Sequence, residues 1–100
     1  MDSSILSVVI RGDSMWPSYN DGDTIECANY SGQDINIGDI VVFKHPLKHG
    51  IKCVKRVYSI CEDGVFVVGD NPDPNCSEDS HNFGPISTNN IVAMSGPGGT

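Results

Sequence analysis

Four short apolar runs, Val8 to Ile10, Ile40 to Phe43, Ile51 to Ile60 and Val65 to Val68, are separated by clusters of Gly, Pro, Asn and Asp, and none has a helical period. Runs of that length bounded by turn-forming residues are strands, so the expected fold is all-β, or mostly β. Glu62-Asp63-Gly64 between two of the runs reads as a hairpin turn. One hundred residues suffice for a single compact domain with one modest core and not for two. The expected domain spans residues 1–94, and the Gly-rich stretch from Ser95 to Thr100 reads as a disordered tail.

The segment Gly12-Asp13-Ser14-Met15-Trp16-Pro17 interrupts this strand pattern. Gly12 permits a tight or left-handed backbone, and Pro17 stops the strand from continuing normally. Ser14 then sits at a strand-to-turn junction, where a hydroxyl is exposed and the residue's own backbone N–H can face a developing oxyanion. The same residues also read as an ordinary polar turn. A serine hydroxyl needs a base to act as a nucleophile, and no histidine lies near Ser14 in sequence.

Lys55 is the candidate base. In the strand from Ile51 to Ile60, period-two alternation puts Ile51, Cys53, Lys55, Val57 and Ser59 on one face. Lys52, Val54, Arg56, Tyr58 and Ile60 take the other. Lys55 shares its face with small or apolar neighbours and is the basic residue placed for desolvation, which would make its amine neutral and able to accept a proton. The other reading is a lysine that snorkels at a sheet edge.

Several segments together carry a resemblance. Gly12 to Pro17 followed by Asn20-Asp21-Gly22-Asp23, then Gly38-Asp39-Ile40-Val41-Val42-Phe43, Val54-Lys55-Arg56-Val57, and finally Val68-Gly69-Asp70-Asn71 with Cys76 to Pro85, resemble the successive boxes of the type I signal peptidase family, in its order, over about Val9 to Val92. The resemblance implies a small β-barrel-type catalytic domain shared with the self-cleaving repressor peptidases. The Gly-Asp-Ser-Met start is similar to those repressors too, but they lack the Gly-Asp-Asn box.

The resemblance implies a serine endopeptidase in which Ser14 is the nucleophile, Lys55 the general base and Ser77 the hydroxyl that orients the lysine, with Asp79 and Ser80 in structural positions beside the site. Two positions depart from the pattern. His81 stands where the family has an arginine, leaving at best an Asp79–His81 contact. Gly12 replaces the hydroxyl residue that supplies a second oxyanion donor, so the oxyanion would rely on the Ser14 backbone N–H. Met15 and Trp16, with Tyr19, are candidates for the substrate groove, core packing being the other reading for Met15.

No stretch approaches the roughly 18 apolar residues of a membrane span, and Met1 to Ile10 carries Asp2 and lacks the basic flank of a secretion signal. The expectation is a soluble, cytoplasmic bacterial protein. An anchorless branch of the family removes the leader peptide of nickel superoxide dismutase precursor. Phe43-Lys44-His45-Pro46 and Gly69-Asp70-Asn71-Pro72 resemble that branch, which makes that precursor the expected substrate. The alternatives are a truncated or divergent signal peptidase that cleaves signal peptides, and a non-catalytic module that holds the leader or nickel.

A formal net charge of -7 argues against a nucleic-acid partner and would favour a basic leader peptide. Cys27, Cys53, Cys61 and Cys76 have neither Cys-x-x-Cys spacing nor the pattern of a structural zinc site, so they read as idle thiols. His45, His49 and Cys53 are a conceivable transition-metal set, but Pro46 to Gly50 breaks any register between them. No cofactor and no metal are expected.

Overall fold

The computed structural model describes residues 5–96. Six strands form one antiparallel sheet: β1 (Ile5–Val9), β2 (Thr24–Asn29), β3 (Ile40–Lys44), β4 (Lys52–Cys61), β5 (Gly64–Val68) and β6 (Ile91–Ser95). Their spatial order is β1-β2-β6-β3-β4-β5. The mostly β expectation is met. The barrel-like expectation needs a qualification, because among the described residues β1 and β5 are the two edges and no ladder closes the sheet.

β3 sits inside because both of its faces are apolar. Ile40 and Val42 pack into one cluster with Ile10, Met15, Ile25, Cys27 and Ala93. Val41 and Phe43 pack into the other with Val57, Val65, Val67, Ile86 and Ile91. A continuous apolar run suits a strand covered on both sides, whereas the alternation of β2 (Thr24 exposed, Ile25 buried, Glu26 exposed, Cys27 buried) suits one covered on a single side.

β4 and β5 join through the two-residue turn Glu62-Asp63, with Cys61 opposite Gly64. The register slips between Val57 and Ser59, so Tyr58 is the extra residue of a bulge. The free edge of β5 is covered by Ile86, which bonds Val65 in both directions at 2.9 and 2.7 Å. That contact leaves no room at Gly64, where a Cβ would lie 1.9 Å from the Ile86 carbonyl oxygen and φ is +143°. Gly64→Ala should therefore cost at least about 2 kcal/mol, from the clash together with the strained backbone, read by urea unfolding. A loss below about 0.5 kcal/mol would show that the Ile86 segment does not lie against this edge.

β6 runs through Ser95, which pairs with Ile40 and is buried, so the ordered sheet extends one residue into the expected tail. Residues 97–100 of that tail lie outside the described residues. The stretch from Asn71 to Asn82, read as an irregular loop, contains a 3-10 turn (Pro74–Cys76) and the start of a one-turn helix, α1 (Ser80–Phe83). Each is short enough to escape a periodicity argument. Asp79 caps α1, its carboxylate accepting from the His81 N–H while Asn82 returns a bond to the Asp79 N–H.

Candidate active site

Ser14 and Lys55 are 41 residues apart, and the fold places the Lys55 Nζ within hydrogen-bond distance of the Ser14 Oγ, at 3.0 Å. Three sets of contacts hold Ser14 there. Ahead of it, the Gly12 N–H donates to the Asp21 carboxylate at 2.7 Å, and the Gly22 N–H donates to the Ile10 carbonyl at 2.8 Å. Behind it, Met15 is fully buried in the first core cluster. Above it, the Asn71 backbone N–H donates to the Ser14 carbonyl at 2.9 Å and the Asn71 amide to the Asp13 carbonyl at 2.8 Å. The turn is therefore fixed by the Gly-Asp-Asn box, far away in sequence.

The approach of that box depends on Gly69. A Cβ there would lie 2.4 Å from the Ser77 Oγ and 2.7 Å from the Ser14 carbonyl oxygen. Asp70 is fixed by Arg56, whose Nε and Nη2 donate to its carboxylate at 2.9 and 2.8 Å while Nη1 donates to the Gly38 carbonyl at 2.8 Å. Arg56 lies on the face of β4 opposite Lys55, as the alternation requires, and ties the Gly38 and Gly69 turns together.

Lys55 is 6% exposed. It stands opposite Val41 in the β3–β4 ladder and shares its strand face with Cys53 and Val57. Burial lowers its pKa below the ordinary lysine value, against smaller opposing effects of Cys53, Asp79 and Glu78. A desolvated amine is easier to hold neutral, and a neutral amine 3.0 Å from a hydroxyl can accept its proton.

Ser77 lines the cleft with Ser14 and Lys55, but its Oγ is buried without a hydrogen-bond partner among the described residues. It makes no bond to Lys55, so the orienting role implied by the resemblance is not present as a contact. The Asp79 carboxylate accepts from the Gly69 N–H at 3.3 Å and meets the His81 ring at 2.9 Å. His81 itself is largely exposed. The buried Ser80 hydroxyl accepts from the Val67 N–H at 2.9 Å. Asp79 and Ser80 thus lock α1 against β5 behind the cleft.

Met15 contributes to the wall of a smaller cleft beside Ser14 and Lys55, while its side chain belongs to the core. Trp16 is 47% exposed and lines neither cleft at Ser14. Tyr19 packs against the first core cluster. Gly12 has φ +82° with open space around it, so the backbone, not crowding, disfavours a hydroxyl residue there.

Sequence reasoning missed one pair at this site. The buried His45 ring lies 2.8 Å from the Glu78 carboxylate through Nε2, while its Nδ1 accepts from the Leu47 and Lys48 N–H groups at 3.0 Å each. With Nδ1 occupied as an acceptor, the ring proton resides on Nε2 and donates to Glu78. Bonds to His45 and Lys48 hold the Glu78 carboxyl below its usual range. His45 and Glu78 are 33 residues apart, and nothing in the sequence couples them. Both line the main cleft, a space of about 480 Å³ that also reaches Arg11, Asp13 and Ile51.

The family model described as signal peptidase, peptidase S26 matches residues 3–65, and comparison with curated proteins finds no match. The matched stretch carries Ser14 and Lys55 and is more than half of the chain. The chain belongs to the signal peptidase S26 family. It is a serine peptidase of the signal-peptidase type and acts on protein or peptide substrates. Among the described residues no helix is long and apolar enough to cross a membrane.

Proposed function

We propose that the protein is a serine endopeptidase working through a Ser14–Lys55 dyad, and that its substrate is the precursor of nickel superoxide dismutase, from which it removes the N-terminal leader in the bacterial cytoplasm. The observation that carries the dyad is the 3.0 Å contact between the Ser14 hydroxyl and a buried lysine whose burial favours the neutral amine.

The neutral Lys55 amine takes the Ser14 proton as the oxygen attacks the scissile carbonyl. The Ser14 N–H faces the oxyanion that forms. The resulting ammonium returns that proton to the departing amine, leaving an acyl group on Ser14. Lys55 then takes a proton from water, whose oxygen attacks the ester, and passes it to the Ser14 oxygen as the new carboxyl end leaves. Asn71 contributes by fixing the Asp13 and Ser14 carbonyls, which sets the direction of the attacking oxygen.

The substrate assignment rests on the Phe43-Lys44-His45-Pro46 and Gly69-Asp70-Asn71-Pro72 resemblances. Both stretches serve the site: His45 lines the cleft, and Gly69 to Asn71 clamp the Ser14 turn. A leader-holding or nickel-delivering module is less well supported, because both ring nitrogens of His45 are already engaged by Glu78 and by backbone N–H groups. The test is incubation of wild type and Ser14→Ala with an unprocessed nickel superoxide dismutase precursor, with the product N-terminus read by mass spectrometry. Leader removal at a single bond by wild type alone is the expected result. A precursor left intact by wild type, beside cleavage of an ordinary signal peptide, would move the substrate to exported proteins.

A further inference from the structure

The chain is acidic, yet its cleft is not. Arg11, Lys48 and Lys52 line the two connected clefts around Ser14 and Lys55, and all are exposed. The carboxylates among the lining residues are Asp13 and Glu78, and Asp73 bonds the lining residues Asn75 and Cys76. Glu78 is already engaged by His45 and Lys48 at 2.8 and 3.2 Å. Half of the six basic residues of a chain with formal net charge -7 thus surround the one site where a peptide would be cut.

The β3–β4 hairpin shows the same bias at a cost in stability. Lys44 and Lys52 are directly opposite each other in the ladder, both are exposed, and neither has an acidic partner among the described residues. Like charges facing each other across strands are destabilising. A fold shaped by stability alone would place one of its 13 acidic residues at either position. Lys48 keeps 60% of its side chain exposed beside Glu78, so the other N–H donors of its ammonium remain open to a ligand, while the excess of positive charge unpaired among the described residues comes from Arg11 and Lys52.

Building on the peptidase reading of Ser14 and Lys55, we propose that Arg11, Lys48 and Lys52 form a cationic rim that selects substrates with acidic residues flanking the scissile bond. The net charge of the chain pointed toward a basic leader; the local charge at the cleft points the other way, and short-range contacts govern docked peptides because charges more than about 10 Å apart are screened in 0.1 M salt. The substrate segment that reaches the cleft is an acidic peptide, and rim charge contributes to which bonds are cut.

The test separates binding from chemistry. Ser14→Ala protein is titrated with fluorescent peptides of one alanine-centred sequence whose flanks carry Glu, Gln or Lys. The Glu peptide should bind about tenfold more tightly than the Gln peptide, as expected of a few partly exposed ion pairs, and the Lys peptide most weakly. The preference should shrink at high salt and fall to about twofold or less when Lys48→Gln and Lys52→Gln are added. Equal binding of all the peptides, no binding of the Glu peptide, or tightest binding of the Lys peptide overturns the proposal. Cleavage of the same peptides by wild-type protein is followed separately. Cleavage without charge preference leaves the dyad standing and removes the rim, whereas charge-selective binding without cleavage keeps the rim and removes the dyad.

Discussion

Lys55→Met should lower kcat/KM by at least about 10³-fold while leaving the protein as stable as wild type or more so. The two effects have one cause. Lys55 is buried beside Val41, Val57 and Cys53, and its burial disfavours the ammonium form. Because its folded pKa lies below the unfolded one, the penalty is fully present below the folded pKa and is relieved as pH rises toward the unfolded value. Methionine has nearly the same length and no charge to desolvate, so the variant should gain about 1 kcal/mol at neutral pH, a rise in Tm of about 5 °C for a domain of this size. A lysine kept only for structure gives the opposite pattern, with activity retained and stability lost. Calorimetry and a cleavage assay on the same preparations distinguish the two.

Gly69→Ala should come next in effect, through geometry. The added methyl group would lie 2.4 Å from the Ser77 Oγ and 2.7 Å from the Ser14 carbonyl. A flexible hydroxyl can turn away, but the Ser14 carbonyl is backbone and accepts the Asn71 N–H at 2.9 Å. Something must shift, and because Asn71 clamps the Asp13 and Ser14 carbonyls two residues on, a displaced Gly69 segment carries the Ser14 turn with it. A displacement of about 1 Å in the nucleophile can cost about 10²-fold in rate. The expected result is that loss in kcat with a folded protein by circular dichroism. Wild-type kcat in Gly69→Ala would mean that the Gly-Asp-Asn box does not set the position of Ser14.

Much of this was legible in the sequence, for identifiable reasons. β3, β4 and β5 come from uninterrupted or strongly alternating apolar runs, and the hairpin from Glu62-Asp63 between two of them. β2 escaped because only Ile25 and Cys27 of Thr24–Asn29 are buried, and its Glu26 and Asn29 read as loop chemistry. β6 escaped because its run is brief and meets the Gly-rich end, although Ile91, Ala93 and Ser95 are buried in it.

The site divides in the same way. The faces of β4 told Lys55 from Lys52 and Arg56, because alternation along a strand is a local property. The partners of those residues are not local. Arg56 with Asp70, Asn71 with the Ser14 turn, and His45 with Glu78 are set by strand order and loop placement. The resemblance brought Ser77 to the cleft but gave it a lysine contact that its buried, unpartnered hydroxyl does not make.

The central claim is that a neutral Lys55 amine is the base for Ser14, and the pH dependence of kcat/KM tests it most directly. Only the deprotonated amine can accept the serine proton, so activity should rise with pH as a single proton leaves. It should level off at a pH below the ordinary lysine value of 10.5, because burial holds the Lys55 pKa down. A profile that is flat from mildly acidic to alkaline pH, or one that reaches its plateau only above that value, would contradict the account.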